Sequence, residues 1–280
     1  MIFNLYKLLV KTKQKIFFAK LIFYLLNFFI PQKIKVLRNK IKWDLDLSEG
    51  IDLHIFIFGT FETEIVQCAK KLKLNKFNKI IDIGANFGVQ TLQIAYEFKN
   101  SKIFSIEPTN YAYEKLLKNL NLNKELKKNI ITHKLFLGCK NQETPEAIYS
   151  SWNLNSKKIK HSTHLGEKKD THNSQSKTLD EFIIENKIYE LDFIKLDVDG
   201  YEYYVLKGGF NFLKKNKPPI FMELAPYLYE EYGYNKEMII DLIKSLNYEF
   251  HDLKNLKKIF KKKKKMDKIK DGFSENILLM

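Results

Sequence analysis

The chain has 280 residues, enough for one α/β core with an appendage and too few for two large domains. With 45% hydrophobic and 29% charged residues it has the profile of a folded globular protein and not of a disordered one. A formal charge of +15 raises the question of a nucleic-acid or anionic-membrane partner, but Arg38 is the only arginine among 48 basic residues, which disfavours a dedicated nucleic-acid face.

Cys68 and Cys139 lack C-x-x-C spacing, so neither a disulfide framework nor a zinc site is indicated, and a reducing, cytoplasmic compartment is expected. Residues 1–34 form an N-terminal segment. Within it Ile16 to Ile30 is nearly all apolar, interrupted by Lys20 and Asn27, preceded by Lys7, Lys11, Lys13 and Lys15, and stopped by Pro31. Its length of about 15 residues falls short of the roughly 20 that a spanning helix needs. No small-residue cleavage site follows. Residues 2–30 therefore read either as a basic, aromatic helix lying on the inner face of a membrane or as a helix packed on the core or on a second subunit.

Residues 35–78 precede the core. Lys35 to Asp46 is expected to form a strand or hairpin, Ile51 to Phe58 a second extended run ending at Gly59, and Glu62 to Leu74 a helix with Ile65, Ala69 and Leu72 on one face. From residue 79 to 280 short apolar runs alternate with helical segments, which predicts βαβ units and a mostly parallel sheet. Strands are expected at Lys79 to Ile83, Lys102 to Ile106, Ile130 to Leu137, Phe193 to Leu196 and Ile220 to Leu224, with a terminal pair at Tyr248 to Leu253 and Asn276 to Leu279. Helices are expected at Val89 to Phe98, Tyr111 to Asn121, from Thr178 to about Asn186, Tyr201 to Lys207 and Lys236 to Leu246. The helix after Thr178 opens with a capping box in which Thr178 and Glu181 serve each other's backbone. Residues 138–177 are polar and aperiodic, the pattern of a variable loop on the substrate side. Lys261 to Lys265 reads as a solvated turn.

Chemistry concentrates at the ends of the predicted strands. Asp82-Ile83-Gly84-Ala85-Asn86-Phe87-Gly88 ends the first strand and opens a helix, where glycines admit a ligand to the backbone and the helix start offers amides. A dinucleotide fingerprint wants glycine at 84, 86 and 89, and the chain has Gly84, Asn86 and Val89. That spacing disfavours NAD and suits S-adenosylmethionine, with Asp82 toward the methionine end. Glu107, ending the second strand, is placed to accept hydrogen bonds from two ribose hydroxyls. Asp197 ends the central fourth strand, and Asp199 would project to the same side if the chain stayed extended. The two could then share a proton, hold a divalent cation, or divide the roles of base and orienter, with Glu202 and Glu223 behind them. His133, His161, His164 and His172 are further candidates for a general base.

Taken together these pieces resemble the FkbM family of methyltransferases. The resemblance is carried by Ile81 to Gly88, by Ile106-Glu107-Pro108, by Thr178 to Phe182, by Phe193 to Glu202 with Val205 to Gly209, and by Glu223. It implies a class I Rossmann-like α/β fold with an antiparallel terminal strand, S-adenosylmethionine as cofactor, and methylation of a hydroxyl on a sugar, glycan or similar natural product. Position 199 departs from the family pattern, which often has Glu where this chain has Asp. A nucleic-acid methyltransferase, and a cofactor-binding protein without turnover, stand as alternatives. The Asn/Asp-Pro-Pro-aromatic signature of N-methylation is absent after the fourth strand, where Asp197-Val198-Asp199-Gly200 stands instead.

Overall fold

The computed structural model describes residues 12–73, 78–150, 152–155, 161–163 and 166–280. Residues 2–11 of the expected membrane segment, and His164, lie outside them. A helix at Thr12–Asn27 leads to the hairpin β1 (Lys33–Arg38) and β2 (Ile41–Asp46), then to helices at Gly50–Phe58 and Glu64–Lys71. The central sheet takes β3 (Lys79–Ile83), β4 (Lys102–Ile106) and β5 (Ile130–His133) on one side. Outside it, β6 (Leu135–Gly138), β7 (Ala147–Ser150), β8 (Glu167–Asp170) and β9 (Gln175–Thr178) form two small ladders. The sheet is completed by β10 (Phe193–Leu196), β11 (Ile220–Leu224), β12 (Phe250–His251) and β13 (Glu275–Leu279).

The strand order is β12-β13-β11-β10-β3-β4-β5, with β13 antiparallel to both neighbours. After β3 the chain moves outward through β4 and β5, then returns to place β10 on the other flank of β3. The order reverses between β3 and β10, and in an open parallel sheet a crevice forms at such a point beyond the carboxyl ends of the strands.

Alternation along the strands feeds two cores. Ile81, Ile83, Phe104 and Ile194 pack under the helices at Leu179–Glu185, Glu202–Gly208 and Lys236–Ser245. Ile80, Ile103, Phe193 and Phe221 face the other way, against Trp43, Leu53, Ile65 and Leu92. The pre-core hairpin and helices thus roof one face of the central sheet. Phe23 of the first helix is 1% exposed in that same cluster.

Several sequence expectations need correction. Ile51 to Phe58 is helical and not extended, because Asp52 is buried with its carboxylate accepting from Lys115 and from the Asp46 amide. The run Ile130 to Leu137 is broken at Lys134, whose ammonium donates to Asn110 and to the His172 carbonyl, and β6 leaves the sheet to pair with β9. Among the described residues of 138–177, β7 pairs antiparallel with β8 and β9 pairs with β6, so these parts are strands and not aperiodic loop. The terminal strand expected over Tyr248 to Leu253 shortens to Phe250–His251. Lys262–Asp267 is a short helix and not a solvated turn: Met266 is buried, and Lys262, Lys263 and Lys265 pair with Glu249, Glu237 and Glu275.

Candidate cofactor and acceptor site

A cleft opens at the switch point, beyond the carboxyl ends of β3 and β10. Gly84, Asn86, Glu107, Asp197 and Asp199, five of the residues picked out from sequence, line it. Asp82 lies beneath its floor at 0% exposure, and Gly88 is buried behind it. The walls also draw on Ile51, Phe61 and Glu62 from the pre-core segment and on Ile148, Tyr149 and Ser150 from the hairpin over the mouth.

The turn after β3 is held by its own hydrogen bonds. The amides of Gly84 and Ala85 donate to the Ile106 carbonyl, that of Asn86 to Glu107 Oε2, that of Phe87 to the Asn86 side chain, and that of Gly88 to the Ala85 carbonyl. The turn amides are therefore engaged within the protein, contrary to the expectation of free donors. Gly84 has φ of +79°, and a Cβ there would lie 1.8 Å from the Asp197 carbonyl oxygen. Its glycine is required by the neighbouring backbone. At Gly88, with φ of +90°, a Cβ would meet Leu116 at 2.6 Å.

Glu107 is 5% exposed and receives the Thr109 amide and hydroxyl on Oε1. Burial raises its carboxyl above the usual range, while the Thr109 and Asn86 donors pull it back. Each oxygen of a carboxylate takes two donors, so Oε2, holding the Asn86 amide, has capacity for a ligand hydroxyl. Ile106, Pro108, Leu135 and Leu137 supply apolar walls beside it.

Under the floor, Lys195 of β10 is buried with its ammonium 2.7 Å from the Gly84 carbonyl, 3.3 Å from Asp197 and 3.5 Å from Asp82. Asp82 Oδ2 accepts the Thr91 hydroxyl at 2.5 Å, and its Oδ1 has no hydrogen-bond partner. Desolvation pulls the Lys195 pKa down, and Asp197, Asp82 and Glu62 more than offset it, so the lysine is held charged.

After Leu196 the chain does not stay extended: Asp199 has φ of +49° and Gly200 of +102°. The turn still leaves Asp197 and Asp199 on one cleft. Glu202 fixes this turn, accepting the amides of Val198 at 3.0 Å and Gly200 at 3.4 Å. Burial, then the charges of Asp197 and Glu202, push the Asp199 carboxyl well above its usual range, and Glu223 is raised in the same way by burial and by Asp197. Among the described residues no three His, Cys, Asp or Glu side chains gather in a metal-holding group. His161 Nε2 lies 2.7 Å from Glu231, and His133 is packed edge-on to Phe182. Glu62, which precedes every motif of the core, and Lys195, which lies within a strand, are site residues that sequence reasoning missed.

The arrangement fits S-adenosylmethionine: carboxylates for a sulfonium and an ammonium, Glu107 for ribose hydroxyls, and an apolar wall for a base. Residues 82–250 match the family described as the methyltransferase FkbM domain. Among solved structures the chain is similar to the FkbM methyltransferase of Methylobacillus flagellatus, at 16% identity over 74% of this chain and 44% of that one, with a TM-score of 0.45. It therefore spans less than half of that structure. It is also similar to a precorrin-6y C5,15-methyltransferase from Geobacter metallireducens, at 12% identity over 78% of this chain and 86% of that one, TM-score 0.43. A third, a SAM-dependent methyltransferase from Aquifex aeolicus, shares 12% identity over 79% and 89% of the two chains, TM-score 0.41. No curated protein matches the chain in sequence. With its motifs inside the matched region and brought to one cleft, the chain belongs to the FkbM methyltransferase family and has a mostly parallel α/β sheet.

Proposed function

We propose that this enzyme methylates a hydroxyl of a sugar, glycan or similar natural product. The observation that carries the reading is the acidic, aromatic character of the acceptor side. Asp197, Asp199, Glu202 and Glu223 interact electrostatically there, and the half-buried phenols of Tyr227 and Tyr232 feel the same charges. Tyr201 stacks obliquely on Tyr232 at 4.4 Å and edge-on to Phe136 at 5.0 Å. Such a surface suits a neutral, hydroxyl-rich acceptor and repels a polyanion. The nucleic-acid alternative thus rests on overall charge and finds no support in the cleft.

The cofactor, when bound, supplies a methyl group made electrophilic by the sulfonium. A neutral alcohol is a poor nucleophile until its proton begins to leave, and a positioned base contributes about 10² to 10⁴-fold. Within the pair, Lys195 fixes and orients Asp197, whereas Asp199, pushed up by burial, is suited to take the hydroxyl proton. With that proton on Asp199, the oxygen would be free to attack the methyl carbon that the cofactor would supply, the electron pair of the broken carbon–sulfur bond passing to sulfur. A divalent cation on the same two carboxylates is the alternative use of the pair.

The test assays methyl transfer to mono- and oligosaccharides, to hydroxylated natural products and to oligonucleotides, with and without EDTA, for wild type, Asp197→Asn and Asp199→Asn. Transfer to a hydroxyl acceptor that falls at least 10²-fold in Asp199→Asn, with cofactor binding retained, is expected. Transfer to oligonucleotides alone would overturn the reading, and loss of activity in EDTA would move the pair from proton to metal chemistry.

We further propose that the first helix rests on an anionic membrane surface. Its two faces divide the two sequence readings: Ile16, Ala19, Ile22 and Phe23 are buried on the core, while Phe17, Leu21, Tyr24 and Leu25, with Phe28 and Phe29 in the turn after the helix, are exposed. Among the described residues no helix is long and apolar enough to cross a membrane.

A further inference from the structure

Glu62 reaches the cofactor cleft from outside the family-matched region, which begins at residue 82. Its backbone is in the left-handed region, with φ of +47°, a conformation that costs a residue bearing a Cβ free energy and persists only where its surroundings impose it. They do so here through two buried amides of the helix Val89–Glu97. Gln93 donates to the Phe61 carbonyl at 2.8 Å, and Gln90 reaches the carbonyls of Phe61 and Glu62 at 3.4 and 3.3 Å. Both glutamines are more than nine-tenths buried. The strained bend is thus tied to the helix that opens with the cofactor turn.

The bend brings the Glu62 carboxylate to the cleft that Asp197 also lines. The cleft mouth leaves Glu62 accessible to solvent, but protein surrounds it on most sides. Desolvation first, and then the Asp197 charge, push its pKa up to about 7, with Lys195 pulling the other way. Lys195 is one cation serving three carboxylates, Asp82, Asp197 and Glu62. This end of the cleft therefore carries more carboxylates than cations. A second cation is what would settle it.

We propose that Glu62 binds the α-ammonium of the cofactor's methionyl end, with the Gln90 and Gln93 amides setting its position. The inference rests on the cofactor reading of the cleft. A charge-assisted hydrogen bond from an ammonium to a carboxylate is about twice as strong as a neutral one, and ligand ammonium binding favours the ionised acid. Affinity should accordingly rise with pH as Glu62 ionises through about 7.

Titration calorimetry of the full chain with two probes tests this. S-adenosylhomocysteine carries the amino-acid tail, and 5′-methylthioadenosine lacks it. In Glu62→Gln, S-adenosylhomocysteine should bind about tenfold more weakly at pH 8, its affinity should lose the rise between pH 6 and 8, and 5′-methylthioadenosine should bind as in wild type. That last result also shows the variant to be folded. Equal weakening of both probes would make Glu62 a structural residue and overturn the proposal, as would unchanged binding of S-adenosylhomocysteine. If wild type binds neither probe, the cofactor reading itself fails. Gln90→Ala, which releases part of the bend without removing charge, should weaken S-adenosylhomocysteine but keep its pH dependence.

Discussion

The Lys195 ammonium lies 3.3 Å from the Asp197 carboxylate, and the same nitrogen lies 3.5 Å from Asp82. One buried cation therefore joins the end of β10 to the end of β3, where the glycine turn begins. With two carbonyl oxygens of the turn also on this nitrogen, the lysine neutralises the floor and locks two adjacent strand ends.

Replacing Lys195 by Leu should destabilise the fold by about 3 kcal/mol or more, because it leaves Asp82 buried without a counter-charge. Urea unfolding measures it. The double variant Lys195→Leu with Asp82→Leu should recover part of the loss, since the orphaned charge, not the missing attraction, dominates the cost. A double variant no better than the sum of the singles would refute this account.

Much of the core was legible because local patterns and global fold agree there. The apolar runs of β3, β4, β10 and β11 are bounded by turn signals, and the Thr178 capping box forms as its spacing implies, with Thr178 Oγ1 accepting the Glu181 amide at 3.1 Å. The failures share one cause, partners distant in sequence. Ile51 to Phe58 is rich in isoleucine and phenylalanine, which satisfy a strand or a buried helix equally, and Asp52 finds Lys115 63 residues away. The break at Lys134 depends on His172, 38 residues on. Within the site, Gly84, Glu107 and Asp197 announce themselves by their places at strand ends. Glu62 does not, since only the folded roof brings it there.

Gly84→Ala is expected to lower stability by about 2 kcal/mol or more, through the positive φ and the contact with the Asp197 carbonyl. Cofactor affinity should fall with it, because the backbone of Asp197 must move. Denaturant unfolding alongside calorimetry distinguishes this from a purely steric block: a variant of wild-type stability that only fails to bind would return Gly84 to the role of admitting the ligand.

Glu202 predicts a pH dependence of stability. Burial raises its pKa from 4.5 to about 7, against hydrogen bonds from the Val198 and Gly200 amides that lower it. A carboxyl raised in the folded state holds its proton while the unfolded chain releases one. Its contribution to stability is therefore complete below about pH 4.5 and is lost as pH rises through 7. Glu202→Gln carries no such proton. Its stability relative to wild type should climb across this window, by up to the order of 3 kcal/mol. A difference that stays flat from pH 5 to 8, measured by thermal unfolding in matched buffers, would show that Glu202 does not titrate with folding.

The exposed face of the first helix and the turn that follows it make the last prediction. Phe28 and Phe29 are 84% and 89% exposed, and Phe17, Leu21 and Leu25 continue the stripe. Residues of this kind immersed in the headgroup region recover the cost of their exposure to water. The sequence places Lys7, Lys11, Lys13 and Lys15 before the stripe and Lys33 and Lys35 after it, and each basic residue near an anionic surface adds roughly 1 kcal/mol that salt removes. The full chain should therefore sediment with phosphatidylserine-containing vesicles at low ionic strength, less with neutral vesicles, and less again in about 0.5 M salt. Phe28→Ser with Phe29→Ser should weaken binding at least tenfold while leaving S-adenosylhomocysteine affinity unchanged. If vesicles of either charge leave the protein in solution, and its mass rises with concentration only when both phenylalanines are present, the stripe joins two copies of the chain and the membrane assignment falls.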